Sequence, residues 1–208
     1  MVLKGYKTIK ETSSAEIEVK HSRFIATVCP CKTEKEATDF IASIRKKYWD
    51  ARHNVYAFSI RENSTKRFSD DGEPHSTAGL PVMEVINHSE IVDIAIVVTR
   101  YFGGILLGTG GLVRAYSEAA KLALESADVV TILPAKSFEI NCDYGDYDPL
   151  LKLLESFGVK ILSTDFTHNI LLKVAVKSEL YDDLNLKCTD KFCARIPFLE
   201  VEDILMGF

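Results

Sequence analysis

The chain has 208 residues, with 47% hydrophobic and 26% charged side chains and a net charge of −5, a balance typical of one large or two small globular domains. No apolar run approaches the roughly twenty residues that a membrane-spanning helix needs, and the N-terminus lacks a hydrophobic signal core, so we expect a cytoplasmic protein. Because a strongly basic domain is absent, we expect no sequence-specific DNA binding and only a local patch for any RNA contact.

The first part of the chain predicts several strands and one helix. Alternating apolar and polar residues indicate strands over 5–10, 15–20, 24–28 and 54–60. Thr33 followed by Glu36 forms a capping box, which predicts a helix that begins there and ends near Lys46 and Lys47.

A polar loop follows, in which Asp70, Asp71 and Glu73 place three carboxylates close together. Such crowding is unfavourable unless a cation, an arginine or backbone N–H groups neutralise it. Two interpretations stay open: a polar site in which the carboxylates and His75 act as acid or base, or a solvated turn before a short helix. The candidate caps of that helix are Ser76 and Thr77. The ligand spacing of a calcium loop is absent, so no bound calcium is expected.

The most unusual stretch is 91–126, where a strand, a glycine-rich loop and a helix follow one another. The β-branched run 91–98 predicts a strand buried on both faces, and apolar residues at helical spacing predict the helix. Arg100 and Arg114 bracket the loop, and the first N–H groups of the helix point into it, which favours an anion. The loop contains Gly103, Gly104, Gly108, Gly110 and Gly111.

These glycines have two interpretations. They let a ligand approach the main chain closely, or they permit a tight strand-to-helix connection packed against a neighbour. Known nucleotide motifs do not fit, because Leu112 follows the last glycine where a Walker loop requires lysine, and Val113 replaces the last small residue of a dinucleotide fingerprint. We therefore expect no cofactor.

Residues 135–208 predict a second domain, with Pro134-Ala135 as the boundary. Its elements follow the order β-α-β-β-α-β, which is the ferredoxin-like arrangement. A strand over 129–133 precedes the boundary. The elements predicted after it are strands over 137–142, 159–166, 170–176 and 194–201, a helix over 148–157 stopped by Gly158, and a helix capped by Ser178 that contains Leu180, Leu184 and Leu186. Residues 1–134 carry 17 basic and 17 acidic side chains and residues 135–208 carry 8 and 13, so the second domain holds the whole net negative charge.

Five cysteines, an odd number in a chain without an export signal, are interpreted as free thiols. Cys29-Pro30-Cys31 and the pair Cys188 and Cys193 lack the usual Cys-x-x-Cys spacing of a zinc site. We therefore expect no metal.

Several uncommon motifs, in order between residues 22 and 116, resemble the YigZ/IMPACT family. They are Ser22-Arg23-Phe24-Ile25, Ala51-Arg52-His53, Ser69-Asp70-Asp71-Gly72-Glu73-Pro74, Thr77-Ala78-Gly79-Leu80-Pro81, Arg100-Tyr101-Phe102-Gly103-Gly104 and Leu107-Gly108-Thr109-Gly110-Gly111-Leu112-Val113-Arg114-Ala115-Tyr116. The rest of the chain resembles the second domain of the bacterial members, so the likeness covers nearly the whole sequence.

The resemblance implies an α+β fold with two domains. The first, 1–134, would resemble ribosomal-protein domains and domain IV of elongation factor G, with a left-handed βαβ crossover. The second, 135–208, would be ferredoxin-like and similar to domain V of that factor. The resemblance also implies a link to translational control, because the eukaryotic relatives act through a ribosome-associated activator of a stress kinase. A shared fold is an analogy and not a mechanism.

Three functions are compatible with these residues. The leading hypothesis is a translation-linked binding module for RNA, the ribosome or a ribosome-associated partner, in which arginines meet phosphates and aromatic rings stack on bases. The alternatives are an enzyme for a phosphate-bearing small substrate and a regulator that binds only proteins, through its acidic second domain. The candidate binding residues are Arg52, His53, Arg67, Asp71, Glu73, Thr77, Gly79, Arg100, Tyr101, Phe102, Gly103, Gly104, Gly108, Gly110, Gly111 and Arg114. The candidate catalytic residues are Asp70, Asp71, Glu73 and His75.

Overall fold

The computed structural model describes residues 4–208 and forms two compact units. The first unit is Tyr6–Thr131, and the second contains Ile132–Phe208 together with residues 4 and 5. Each unit combines helices with an antiparallel sheet, which confirms the predicted α+β class. No helix in the described part of the chain is long and apolar enough to cross a membrane.

The first unit is built on a five-stranded sheet of order β2-β3-β6-β4-β5, in which neighbouring strands are antiparallel. Its elements are β1 (Tyr6–Ile9), β2 (Ser13–Val19), β3 (Ser22–Pro30), α1 (Glu34–Lys47), β4 (His53–Ile60), β5 (Thr65–Ser69), α2 (Gly79–Ser89), β6 (Ile94–Tyr101) and α3 (Thr109–Glu125). Strands β3 and β4 run parallel on either side of β6 and are connected through α1.

The central strand β6 is buried on both faces, as predicted. Ile94, Ile96 and Val98 pack into the core that contains α2 and α3, whereas Ala95 and Val97 pack into the core that contains α1. Continuous apolar runs are typical of parallel strands. Here the neighbours are antiparallel, and the run arises because helices cover both faces of the sheet.

Helix α1 begins as predicted. The Thr33 hydroxyl accepts a hydrogen bond from the N–H of Glu36 at 3.2 Å. The Glu36 carboxylate returns to the N–H of Lys32 at 2.7 Å, one residue before the position that a capping box would use. The cap therefore satisfies two N–H groups at the start of the helix.

The second unit has the predicted ferredoxin-like order. Its elements are β7 (Val129–Cys142), α4 (Tyr144–Ser156), β8 (Lys160–Phe166), β9 (Ile170–Lys177), α5 (Tyr181–Lys191) and β10 (Phe198–Gly207). The antiparallel strands lie in the order β10-β7-β9-β8, and the core includes Phe138, Leu150, Leu172 and Leu184.

Several element boundaries in this part of the chain were predicted wrongly. The two strands expected on either side of Pro134 are one continuous strand, β7, because proline is tolerated where its missing N–H is not required. Helix α4 begins at Tyr144 and contains Pro149 in its second turn. Leu186, expected on the core face of the last helix, is 61% exposed, and the last strand begins at Phe198 instead of Ala194. Gly158 does end α4 with the left-handed conformation expected of it (φ 64°).

Candidate binding cleft

A cleft lies in the first unit where β6 ends and β4 begins. The strand register places Arg100 of β6 directly beside His53 of β4 on one side and Phe24 of β3 on the other. The loop after β5 supplies Glu73, and the loop after β6 supplies Phe102. The cleft has a volume of about 290 Å³ and is lined by Arg52, His53, Gly72, Glu73, Pro74, Arg100, Phe102 and Leu106.

The floor of the cleft is a buried ion pair between Glu73 and Arg100, whose side chains are 4% and 7% exposed. Arg100 Nη1 donates to Glu73 Oε1 at 2.7 Å, and the hydroxyl of Tyr116 donates to the same oxygen at 2.7 Å. Burial, followed by the charge of Glu73, raises the pKa of Tyr116, so this phenol stays protonated and acts as a donor. The charge of Glu73 is thus compensated within the protein.

Arg100 is held between two aromatic rings. Its guanidinium carbon lies 5.4 Å from the centre of the Phe24 ring and 5.6 Å from that of Phe102, which is cation–π geometry. Its Nη2 donates weakly to Ser22 Oγ at 3.5 Å, and its buried Nε has no partner within the described residues. Arg100 was expected to bracket the glycine loop as a phosphate-binding cation, but it lies beneath the surface and is paired with Glu73.

His53 connects the cleft to the loop after β5, which contains Asp71. Its Nδ1 lies 2.8 Å from the carbonyl oxygen of Asp71, so Nδ1 carries a proton and donates. Its Nε2 is then directed towards Glu73 Oε1, at 3.9 Å. The ring is thereby fixed in orientation, with one nitrogen facing a buried carboxylate.

Asp71 links the loop to the sheet and to α1. One carboxylate oxygen accepts from Arg45 at 2.6 Å and the other from the N–H of Asn54 at 2.6 Å. The backbone of Asp71 and Gly72 is left-handed, with φ of 45° and 87°, a conformation that needs support from its surroundings when the residue is not glycine. These contacts supply that support, and they also neutralise the Asp71 charge.

Asp70 caps helix α2 from the preceding loop. Its carboxylate accepts from the N–H groups of Ser76 at 2.9 Å, Ala78 at 3.1 Å and Gly79 at 2.8 Å. Burial alone would raise the pKa of Asp70, but these three N–H groups outweigh it and lower the pKa. The expectation that Ser76 or Thr77 caps this helix is wrong, since Thr77 donates to the Pro74 carbonyl instead.

Two further predicted residues of this loop have different environments. His75 is 95% exposed, with its ring 3.8 Å from Asp70, and it does not line the cleft. Gly79 is required by packing, because a Cβ at this position would lie 2.6 Å from the backbone of Ser69. This close contact joins the start of α2 to the end of β5.

The glycines of the loop after β6 have different environments. Gly103 is packed tightly: its N–H donates to Ser22 Oγ at 3.1 Å, and a Cβ would lie 2.0 Å from the backbone of His21. Gly104 and Gly108 have left-handed backbones, and a Cβ on either would meet nothing within 4 Å. The first half of the loop is therefore structural and the second half is open to solvent.

Helix α3 begins at this open half without a side-chain cap or an acidic residue in its first turn. Arg114 Nη1 lies 3.8 Å from where a Cβ on Gly110 would be, so its guanidinium folds back towards the helix start. A Cβ on Gly111 would lie 3.0 Å from Leu107. Both the charge and the free N–H groups favour an anion there.

The remaining predicted residues divide between the cleft and other surfaces. Arg52 is exposed at the cleft and forms no ion pair within residues 4–208. The Tyr101 hydroxyl donates to Asp50 at 2.8 Å. Arg67 pairs with Glu34 of α1 at 2.8 Å and does not line the cleft.

Comparison with known proteins identifies the family. The model of the Impact N-terminal domain matches residues 20–124, and that of a domain of unknown function, DUF1949, matches residues 140–192. The chain belongs to the IMPACT family. It is 35% identical to an IMPACT family member of Haemophilus influenzae over 92% of this chain and 94% of that protein.

Two other relatives and one solved structure are similar to the chain over most of its length. The chain is 33% identical to IMPACT family member YigZ of Escherichia coli, over 89% of this chain and 93% of the relative. It is 42% identical to IMPACT family member YvyE of Bacillus subtilis, over 69% of this chain and 66% of the relative. A crystal structure of a hypothetical protein superposes with a TM-score of 0.61 at 31% identity, covering 97% of this chain and 99% of the other.

In this IMPACT-family chain, sequence reasoning missed several residues that form the cleft. Ser22 and Tyr116 lie inside the uncommon motifs, but neither carries a charge that would indicate a polar site. Asn54 supplies a backbone donor to Asp71 and an acceptor to the buried Thr99, and no local pattern indicates either contact. Leu106 is 82% exposed, and its position in the glycine loop is the only feature of the sequence that indicates a place in the cleft.

Proposed function

We propose that this chain is a translation-linked binding protein that contacts single-stranded RNA through the cleft and the loop 102–111. The observation that carries the proposal is a division of roles among the polar groups. The carboxylates of Asp70, Asp71 and Glu73 accept hydrogen bonds from other groups of the protein. The guanidinium of Arg52, the ring of Phe102 and the side chain of Leu106 are instead exposed at the cleft.

The carboxylates support a binding role better than a catalytic one. Asp70 caps a helix, Asp71 pairs with Arg45, and Glu73 pairs with Arg100. These contacts compensate the charge of each carboxylate within the protein. Their arrangement instead fixes the loop that forms one wall of the cleft.

The exposed groups have the chemistry of single-strand recognition. Phe102 and Leu106 are 47% and 82% exposed, and Arg52 is exposed beside them in the cleft lining. An aromatic face accepts an unstacked base, and an adjacent guanidinium accepts a phosphate. Arg100 supports Phe102 from below through its cation–π contact.

The test is RNA binding by matched variants. Purified protein is titrated with a fluorescent single-stranded RNA at several salt concentrations, and cosedimentation with ribosomes is measured in parallel. Phe102→Ala should cost about 1–3 kcal/mol of binding free energy through lost stacking. Arg52→Ala should weaken binding to every sequence and reduce the salt slope by about 1.

Arg67→Ala is the matched control, since Arg67 is an exposed arginine of the same unit that lies outside the cleft lining. Its affinity for RNA should stay within about twofold of the wild type, because an exposed ion pair contributes little. Failure of the wild type to bind RNA or ribosomes at low salt would refute the proposal. Equal losses in Arg52→Ala and Arg67→Ala would show that binding is diffuse and does not use the cleft.

A second function, catalysis on a phosphate-bearing small substrate, is favoured by one observation. His53 Nε2 lies 3.9 Å from Glu73 Oε1, so a partly buried imidazole and a buried carboxylate adjoin the same small cleft. Under this alternative, inorganic phosphate should raise the melting temperature of the wild type, and His53→Gln should abolish that rise, whereas Arg67→Ala should retain it.

A further inference from the structure

A pair of cysteines lies at the far end of β3 from the cleft. Cys29 lies in β3 and Cys31 is the first residue after it, and both side chains pack on the same core. Cys31 belongs to the core beneath α1 and is 1% exposed, and Cys29 packs against that core but is only half-buried. One thiol is therefore accessible and the other is held behind it.

The surroundings favour a thiolate at the accessible sulfur. Thr12 Oγ1 donates to Cys29 Sγ at 3.3 Å, and Cys29 Sγ lies 3.6 Å from the carbonyl oxygen of Pro30. The hydrogen bond from Cys31, with that from Thr12, lowers the pKa of Cys29, while the same Cys29 contact and burial raise the pKa of Cys31. Cys29 is thus suited to act as the nucleophile and Cys31 as the resolving thiol.

The backbone allows the two sulfurs to join. At the rise of a strand, their Cα atoms are about 6.6 Å apart, close to the upper limit of about 6.8 Å usual for disulfides. A disulfide between them is therefore within reach of the backbone, and the half-buried sulfur of Cys29 leaves it open to exchange.

We propose that Cys29 and Cys31 form a thiol–disulfide exchange site for low-molecular-weight disulfides of the glutathione type. The Cys29 thiolate attacks one sulfur of the disulfide, forms a mixed disulfide and expels one thiolate, which takes the proton of Cys31. The Cys31 thiolate then attacks Cys29 Sγ and expels the second thiolate, which is protonated from water. The protein loses two hydrogen atoms, and the disulfide is reduced to two thiols.

The experiment uses the full chain with Cys193→Ser, because Cys193 is the exposed thiol among the remaining cysteines. The folded protein is incubated with excess glutathione disulfide at neutral pH, and the free thiols are then blocked and the chain is digested with trypsin. Cleavage after Arg23 and Lys32 places both sulfurs on the one peptide 24–32. That peptide should lose two hydrogens, and dithiothreitol should restore them.

Two variants separate the steps. Cys31→Ala should accumulate one glutathione adduct on Cys29, and Cys29→Ala should lose reactivity of peptide 24–32 altogether because Cys31 is buried. Circular dichroism verifies that both are folded. Two unreacted thiols on peptide 24–32 of the folded parent would overturn the proposal, as would an unmodified Cys29 in Cys31→Ala. A lasting adduct on Cys29 of the parent would overturn the role of Cys31.

The test of the cleft and the test of this cysteine pair are independent, because the two sites lie at opposite ends of β3. Ser22 begins β3 beside the cleft and Cys29 is seven residues further along the strand, a distance of about 23 Å. RNA binding and disulfide exchange can therefore succeed or fail separately.

Discussion

The buried pair at the floor of the cleft makes a quantitative prediction. Arg100→Met keeps most of the side-chain volume but removes the charge that compensates Glu73, whose side chain is only 4% exposed. Removing one partner of a buried ion pair costs about 3–5 kcal/mol, because the other charge stays buried without compensation. We expect a loss of this size from the free energy of unfolding of the first unit.

The double variant Glu73→Leu/Arg100→Met distinguishes an unpaired charge from lost packing. Replacing both partners with apolar side chains of similar size is close to neutral, so the double variant should be at least about 2 kcal/mol more stable than Arg100→Met alone. Tyr116→Phe should cost about 1.5–3 kcal/mol, since it removes one hydrogen bond to a charged acceptor. The two effects together would identify Glu73 as the charged centre of the network.

The assay is urea unfolding at neutral pH, followed by the fluorescence of the single tryptophan, Trp49, which lies in the first unit. Arg67→Met serves as the control, because its exposed pair with Glu34 is expected to contribute about 0–1 kcal/mol. An Arg100→Met loss below about 1 kcal/mol, or a double variant less stable than Arg100→Met, would refute the reasoning.

Three other predictions follow from the contacts described above. Gly103→Ala should destabilise the chain by about 3 kcal/mol or more, because its Cβ would meet the backbone of His21. By contrast, Gly110→Ala should stabilise it by about 0.5–1 kcal/mol in thermal unfolding, because the added Cβ would meet Arg114 Nη1 only at 3.8 Å. The lowered pKa of Asp70 contributes stability that is complete above the ordinary carboxyl pKa of about 4 and is lost as the pH falls through the folded-state value. The difference in unfolding free energy between wild type and Asp70→Ala should therefore shrink on acidification below that pH. A difference that stays constant with pH would contradict this prediction. Thr33→Ala should cost about 1 kcal/mol in urea unfolding and Thr33→Gly a few tenths, since glycine is a tolerable cap.

The features that the sequence predicted well depend on local periodicity. The run 91–98 indicated a strand buried on both faces, although the strand itself is Ile94–Tyr101. Thr33 and Glu36 indicated a helix start, and the order of elements after residue 135 indicated a ferredoxin-like unit. Each of these signals is contained within a few neighbouring residues or in the order of elements, so no knowledge of distant contacts was needed.

The roles of the polar residues could not be predicted in the same way. Asp70 caps a helix from outside it, and Arg100 finds its partner 27 positions earlier in the chain. Composition shows that such charges need compensation, but it does not show whether a ligand or the protein supplies it. Proline has a similar ambiguity, since Pro149 was taken as a helix start but lies inside α4.

The Glu73–Arg100–Tyr116 network also has a kinetic consequence. Its members come from a loop, a strand end and a helix, so no part of it forms until the sheet and α3 are assembled. A charge that is desolvated before its partner arrives is unfavourable, and we therefore expect the network to be unformed in the folding transition state. Substitutions in this network should then leave the refolding rate nearly unchanged and raise the unfolding rate, which shortens the lifetime of the native state.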